Sequence, residues 1–294
     1  MRFTIFMTCL AAALVAALGT DAALAGTGMP SLWQMDLQGA ADQNSAYIKW
    51  FHDWLVVMCV VISAFVLGLL LYAIWRFSEK RNPVPSRTTH HAGLEVAWTV
   101  IPILILVVIS IPSFKLLKLQ LDMPKADITV KATGKQWYWS YDYPKDQGGF
   151  AFDSLMIPES DWKRDVAAGK INAAEAPRLL AVDNEAVVPV GKIVRLQVTG
   201  ADVIHKFALP SFGIKIDAIP GRLNETWFKA EREGLYYGQC SFICGQNHSY
   251  MPIAIRVVSE QKYQAWLVDA KKKYAAQDDP SRKLAGQPNA NSAN

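Results

Sequence analysis

The sequence is short of the residues that most active sites draw on. It has five histidines and four cysteines in 294 residues, and charged residues make up only 19 %. There is no glycine-rich phosphate loop and no nucleophile elbow with a Ser-His-Asp set, so nucleotide and hydrolytic chemistry have no support. No Cys-x-x-Cys-His run is present, which excludes a covalently attached haem of the chain's own. A basic face is missing too. The formal charge is +4, yet residues 76–91 carry four bases against one acid and residues 271–294 five against two, leaving about −2 elsewhere. Nucleic-acid binding needs clustered bases on a folded segment and is excluded. No internal repeat is found.

What is present is apolar. Hydrophobic residues reach 51 % and aromatics 11 %, too many for a disordered chain. Residues 1–25 read as a secretory signal: Arg2, an apolar run from about Leu10 to Leu18, and the small-x-small pattern Ala23-Leu24-Ala25 before Gly26. The other reading, a first membrane anchor, is disfavoured by the shortness of that run. Leu55–Trp75 and Val96–Phe114 carry no charge, and each is long enough to cross a bilayer core of about 30 Å as a helix. Trp50, Trp54 and Trp75 flank the first run, where indole rings favour the membrane interface. Pro102 and Pro112 interrupt the second, which membrane helices tolerate. The connector holds Arg76, Lys80, Arg81 and Arg87, so the positive-inside rule puts it in the cytoplasm and both chain ends outside. The expected organisation is a signal peptide over 1–25, then 26–120 with transmembrane helices at about 55–75 and 96–116. An exported domain over 121–272 and a disordered tail over 273–294 complete it.

From about residue 126 the pattern turns to short β-rich segments punctuated by Gly and Pro. Strands are expected at Ile128–Thr133, Gln136–Tyr143, Phe150–Ile157, Arg178–Val182, Ile193–Thr199, Leu223–Phe228, Leu235–Gln239 and Ile253–Val258. They imply an antiparallel Greek-key sandwich. Asp161–Ala176 reads as a partly helical insertion and Glu260–Lys272 as a closing helix.

Of the cysteines, Cys9 lies in the signal and Cys59 in the first apolar run, leaving Cys240 and Cys244. In an oxidising compartment two nearby cysteines suggest a disulfide. Their neighbours argue otherwise, since the run from Cys240 to Met251 also contains His248, and His205 arrives from an earlier strand. Two thiolates, two imidazoles and a thioether form a donor set that suits copper better than zinc. Cys244, His248, Met251 and His205 alone would make a mononuclear blue-copper site, with Cys240 to spare. A second thiolate so near can instead bridge two copper ions, each with one histidine.

With these residues the chain resembles subunit II of the haem-copper cytochrome c oxidases, whose dinuclear copper centre is called CuA. The resemblance covers Trp50 to about Leu267, including Glu95–Pro102, Gln136-Trp137-Tyr138-Trp139-Ser140-Tyr141, Phe152-Asp153-Ser154, Asp217-Ala218-Ile219-Pro220-Gly221-Arg222 and the cysteine loop. It implies a two-helix transmembrane hairpin followed by an all-β cupredoxin-like Greek-key domain. It further implies that Cys240 and Cys244 bridge both coppers, that His205 and Met251 complete one ion, and that His248 with the backbone carbonyl of Phe242 completes the other. Phe242 is a departure, because the family usually has glutamate there, reaching a magnesium or manganese ion shared with subunit I. A carbonyl is still supplied, but that side-chain ligand is missing.

The same resemblance makes Trp137 the electron entry point from cytochrome c, with Asp142, Asp153, Asp183 and Asp202 as docking acids that steer a basic partner. Without it, Trp137 would be strand packing and the acids ordinary surface carboxylates. Glu95 matches a glutamate at the mouth of a proton pathway of subunit I, although a helix-start acid would also be favoured there by the helix dipole. The implied function is electron transfer from cytochrome c through CuA to haem in subunit I, where oxygen is reduced and protons are moved. Subunits I and III are the implied membrane partners. The implied location is the bacterial inner membrane, with the N-terminus and copper domain periplasmic. A membrane-anchored copper carrier is the alternative, and the second thiolate and Trp137 argue against it. A quinol oxidase subunit would lack the copper ligands, and a nitrous oxide reductase would need many more histidines.

Overall fold

The computed structural model describes residues 28–31 and 33–275. The expected signal peptide, and the expected tail beyond Ala275, lie outside the described residues. The chain divides into two units, residues 46–122 and the remainder.

The first unit is a helix pair, α1 (Gln43–Arg76) and α2 (Ala92–Leu121). Both run past the uncharged stretches that predicted them. At the start of α1, Asp42 caps the helix by accepting the Ser45 N–H at 2.8 Å, which satisfies one of the helix's free first-turn donors. Pro102 and Pro112 lie inside α2 without breaking it. Met58 on α1 faces Ile101, Leu104, Ile105 and Val108 on α2, and Tyr47 faces the Lys115 ammonium, so the two helices run antiparallel. No residue of the most apolar stretch of either helix is buried. A soluble helix of that composition would hide one face, so the exposure agrees with a membrane span.

The second unit is a β-sandwich. Its first sheet has the order β3-β2-β1-β5-β8 and its second β4-β10-β9-β6-β7. The strands are β1 (Ile128–Lys135), β2 (Tyr138–Tyr143), β3 (Phe150–Ser154), β4 (Ala186–Pro189) and β5 (Ile193–Gly200). The others are β6 (His205–Leu209), β7 (Ile214–Ala218), β8 (Asn224–Lys229), β9 (Gly234–Cys240) and β10 (Pro252–Val258). Strict alternation makes β1 and β2 two-faced: Ile128, Val130 and Ala132, then Trp139, Tyr141 and Tyr143, point inward. Each large side chain so buried contributes about 1.5–3 kcal/mol.

Four strand expectations are corrected. The sandwich is not wholly antiparallel, because β1 runs parallel to β5 and β4 parallel to β10. The chain crosses to the other sheet before it returns, and such a crossover allows parallel neighbours. Arg178–Val182 is not a strand: the Leu180 and Ala181 N–H groups turn back to the Pro177 carbonyl, and only Val182 bridges, to Met156. Phe150–Ile157 stops at Ser154 for the same reason, Met156 being a lone bridge. The strand expected from Gln136 begins at Tyr138, since Gln136 and Trp137 form a turn and spend their donors elsewhere. β4, β6 and β7 are additional.

The insertion contains α3 (Glu159–Ala167), and the Trp162 indole closes it on the Ala176 carbonyl at 2.8 Å. The closing helix α4 (Glu260–Ala275) presents Tyr263, Trp266, Ala270 and Tyr274 at helical spacing. Tyr274 stacks on Phe152 with 4.6 Å between ring centres, sealing the aromatic core. Ahead of α1, Gly28 and Ala41 are tied to the sandwich. The Tyr237 N–H donates to the Gly28 carbonyl at 2.7 Å, and Ala41 exchanges backbone bonds with Ser211 and Glu231.

Candidate metal centre

The expected copper ligands meet at one end of the sandwich. His205 is the first residue of β6 and Cys240 the last of β9, and these strands are paired through Phe207 and Cys240. Cys244 and His248 lie in the loop that follows, and Met251 immediately precedes β10. Cys240, Cys244, His205 and Met251 are buried, and His248 is half-buried.

The two thiol sulfurs are 3.9 Å apart. A disulfide is about 2.05 Å long, so both cysteines are free. Cys240 Sγ lies 4.0 Å from His205 Nδ1 and 3.3 Å from the Phe242 carbonyl oxygen. Cys244 Sγ lies 3.5 Å from both His248 Nδ1 and Met251 Sδ. Donor atoms of His205, Cys240 and Cys244 all fall within 4.8 Å of one another. Two thiols, two imidazole nitrogens, a thioether and a carbonyl, converging in a buried corner, fit copper.

The surroundings hold this set in shape. Trp139 reaches across from the first sheet, donates from its indole to the Met251 carbonyl at 3.3 Å, and sets its ring edge-on to His205. Gly134 makes room for that imidazole: a Cβ there would lie 2.9 Å from the ring. Burial pushes the Cys240 thiol up, but hydrogen bonds with His205 and with the backbone at Lys206 and Phe242 reverse this and leave it well below the usual thiol range. Burial and the adjacent Cys240 push Cys244 well above it. The metal-free pair therefore gives up one proton readily and the second with difficulty.

Trp137 is half-buried beside the loop, and its indole donates to the Cys244 carbonyl at 3.2 Å. Among the expected docking acids, Asp142 is exposed on the outer face of β2. Asp153 lies 3.4 Å from Lys135, and Asp183 is exposed but accepts the Leu155 N–H. Asp202 is drawn inward, 2.9 Å from His205 Nε2. Glu95 lies in the first turn of α2, where its carboxylate accepts the His91 N–H while His91 Nδ1 accepts that of Leu94. Gln136 is the residue that sequence reasoning missed. Its side chain donates to the Cys244 carbonyl at 3.0 Å, and its place beside Trp137 was the only signal.

Comparison with known proteins gives the family. A model of the periplasmic domain of cytochrome c oxidase subunit II matches residues 128–258, and one of its transmembrane domain matches residues 30–116. The chain is 47 % identical over 252 residues to cytochrome c oxidase subunit 2 of Cereibacter sphaeroides, covering 83 % of this chain and 82 % of that one. The chain belongs to the cytochrome c oxidase subunit II family. Subunit 2 of Zea mays is 44 % identical over 241 residues, covering 80 % of this chain and 88 % of its own. The crystal structure of the periplasmic domain of subunit II from Bradyrhizobium japonicum is 61 % identical, covers 52 % of this chain and 99 % of its own, and has a TM-score of 0.45.

As a subunit II chain it is the electron-accepting part of an oxidase complex and a membrane protein, and the family implies that it binds copper. The subunit II matches favour this over the membrane-anchored copper carrier.

Proposed function

We propose that the chain takes electrons from cytochrome c at a dinuclear CuA centre and delivers them to haem in subunit I, with subunit III as a further neighbour. The reading rests above all on the pair of free, buried thiols 3.9 Å apart with an imidazole beside each. Cys240 and Cys244 would bridge the ions. His205 and Met251 would complete one, and His248 with the Phe242 carbonyl the other. Bound there, copper supplies one-electron redox chemistry at a site of nearly fixed geometry.

The chain's own residues supply the rest. Trp137 joins the domain surface to the Cys244 backbone and is the entry point. Asp142, Asp153 and Asp183 raise the on-rate of a basic cytochrome, an effect that weakens with salt. Trp139 and Gly134 exclude water and hold the His205 ring. Glu95 serves the entrance of a proton pathway of subunit I. The signal-like N-terminus and the basic 76–91 connector support a periplasmic copper domain in a bacterial inner membrane.

Copper analysis and electron paramagnetic resonance of the detergent-solubilised chain test the centre. About two coppers per chain, with hyperfine structure from one electron shared over both, are expected. A single-copper spectrum, or a Cys240–Cys244 disulfide that refuses metal, overturns the reading. Phe242 sharpens it. Only its carbonyl is a donor, and its ring is exposed with Lys206 Nζ 5.9 Å from the ring centre. Phe242→Ala is therefore expected to keep its copper content and to change stability by less than about 1 kcal/mol, as metal analysis and thermal melting will show.

A further inference from the structure

Asp202 is placed where a docking acid has no need to be. One carboxylate oxygen lies 2.9 Å from His205 Nε2 and accepts the Val203 N–H at 2.6 Å, and the other accepts the Gln136 N–H at 2.7 Å. The His205 side chain is fully buried, while that of Asp202 is 34 % exposed. The carboxylate thus stands at the boundary with its oxygens turned inward. Gln136 reaches the other way, its Nε2 donating to the Cys244 carbonyl at 3.0 Å beside the Trp137 indole at 3.2 Å. A two-residue turn between β1 and β2 therefore grips both segments that carry ligands.

We propose that Asp202 and Gln136 are positioning residues of the copper centre: together they aim His205 Nδ1 at Cys240 and hold the Cys244 loop against Trp137. The inference rests on the copper reading above. With the Nε2 proton given to Asp202, the Nδ1 lone pair is free for metal, and the tautomer and ring orientation are fixed together. Without the carboxylate, a fully buried N–H is left unsatisfied, and the ring must turn or draw in water. Partners of this kind are worth about 10–100-fold in metal affinity. Gln136 does the same for the loop through a neutral bond, a weaker one than a charged partner makes.

The test uses the full chain in detergent, loaded with copper and titrated with a chelator of known affinity. Paramagnetic resonance and the midpoint potential are read alongside, and the KM for cytochrome c across a salt series is measured on the assembled oxidase carrying the same substitutions. Asp202→Ala is expected to hold copper about 10–100-fold more weakly, with altered hyperfine structure and a shifted potential. Asp202→Asn keeps an acceptor oxygen toward Nε2 but sets its amide NH2 against the Gln136 N–H, so it should recover part of the affinity lost in Asp202→Ala, and the result does not hang on one variant folding. Gln136→Ala should lose about tenfold or less. Asp142→Asn should raise KM in a salt-dependent way with copper affinity and spectrum unchanged. If Asp202→Ala behaves like Asp142→Asn, Asp202 is a docking acid and the inference is overturned. An unsubstituted chain that takes up no copper would overturn the copper reading and this inference together. Normal loading beside an unaffected Asp202→Ala chain would overturn this inference alone.

Discussion

Cys240→Ser and Cys244→Ser chains are expected to lose the dinuclear centre and, in the assembled oxidase, electron entry from cytochrome c. A serine hydroxyl does not ionise near neutral pH and is a hard donor, whereas each thiol here sits within 4.0 Å of an imidazole nitrogen and would serve both ions. Loss of an outer partner alone costs about 10–100-fold, so removing a bridge should lower oxygen uptake with reduced cytochrome c by more than about 100-fold. Cys59, exposed on α1, is the internal control. Cys59→Ser should leave copper content and turnover as they were. Two coppers per chain and undiminished turnover in either loop variant would show that these thiols are not ligands.

The second large effect involves no donor atom. A Cβ at Gly238 would lie 2.0 Å from the Ala208 carbonyl oxygen and 3.2 Å from the Leu209 Cα, both backbone atoms that cannot step aside. Gly238→Ala must therefore push β9 off β6, and these are the strands that bring Cys240 to His205. Overpacking of this kind costs about 3 kcal/mol, which for a domain of this size lowers Tm by roughly 6–12 °C. Copper affinity should fall with it, because the 4.0 Å gap between His205 and Cys240 widens. Calorimetry with and without copper would read both, and an unchanged Tm would mean that the strands have slack at this point.

The hairpin was legible because its signal is compositional: long uncharged runs, indoles at the ends, bases between. The cluster proposed to hold copper was legible as a candidate because five side chains able to bind metal fall at a spacing that chance seldom supplies, and the fold brings them together. β6 and β7 were passed over although both alternate, because each is only five residues long and Pro210 and Gly213 between them read as loop. The parallel pairs were hidden for another reason. Periodicity shows which face of a strand is buried but not which strand lies beside it. Asp202 shows the same limit at the site, where an acid near an aromatic patch reads as surface charge until the fold turns it toward an imidazole. Gln136 could be recognised only after its partners, distant in sequence, were in place.

Cys240, Cys244, His248 and Met251 are close together in sequence, while His205 reaches them only through the pairing of β6 with β9. The loop's sulfurs and its one imidazole can therefore capture a metal ion on a chain that has not yet folded. Metal held by the unfolded form stabilises the native state only by the difference in affinity between the two, and His205 is the proposed donor that the pairing of β6 with β9 adds. The order of events then matters: copper arriving after the strands have paired meets both imidazoles, whereas copper arriving earlier meets half a site.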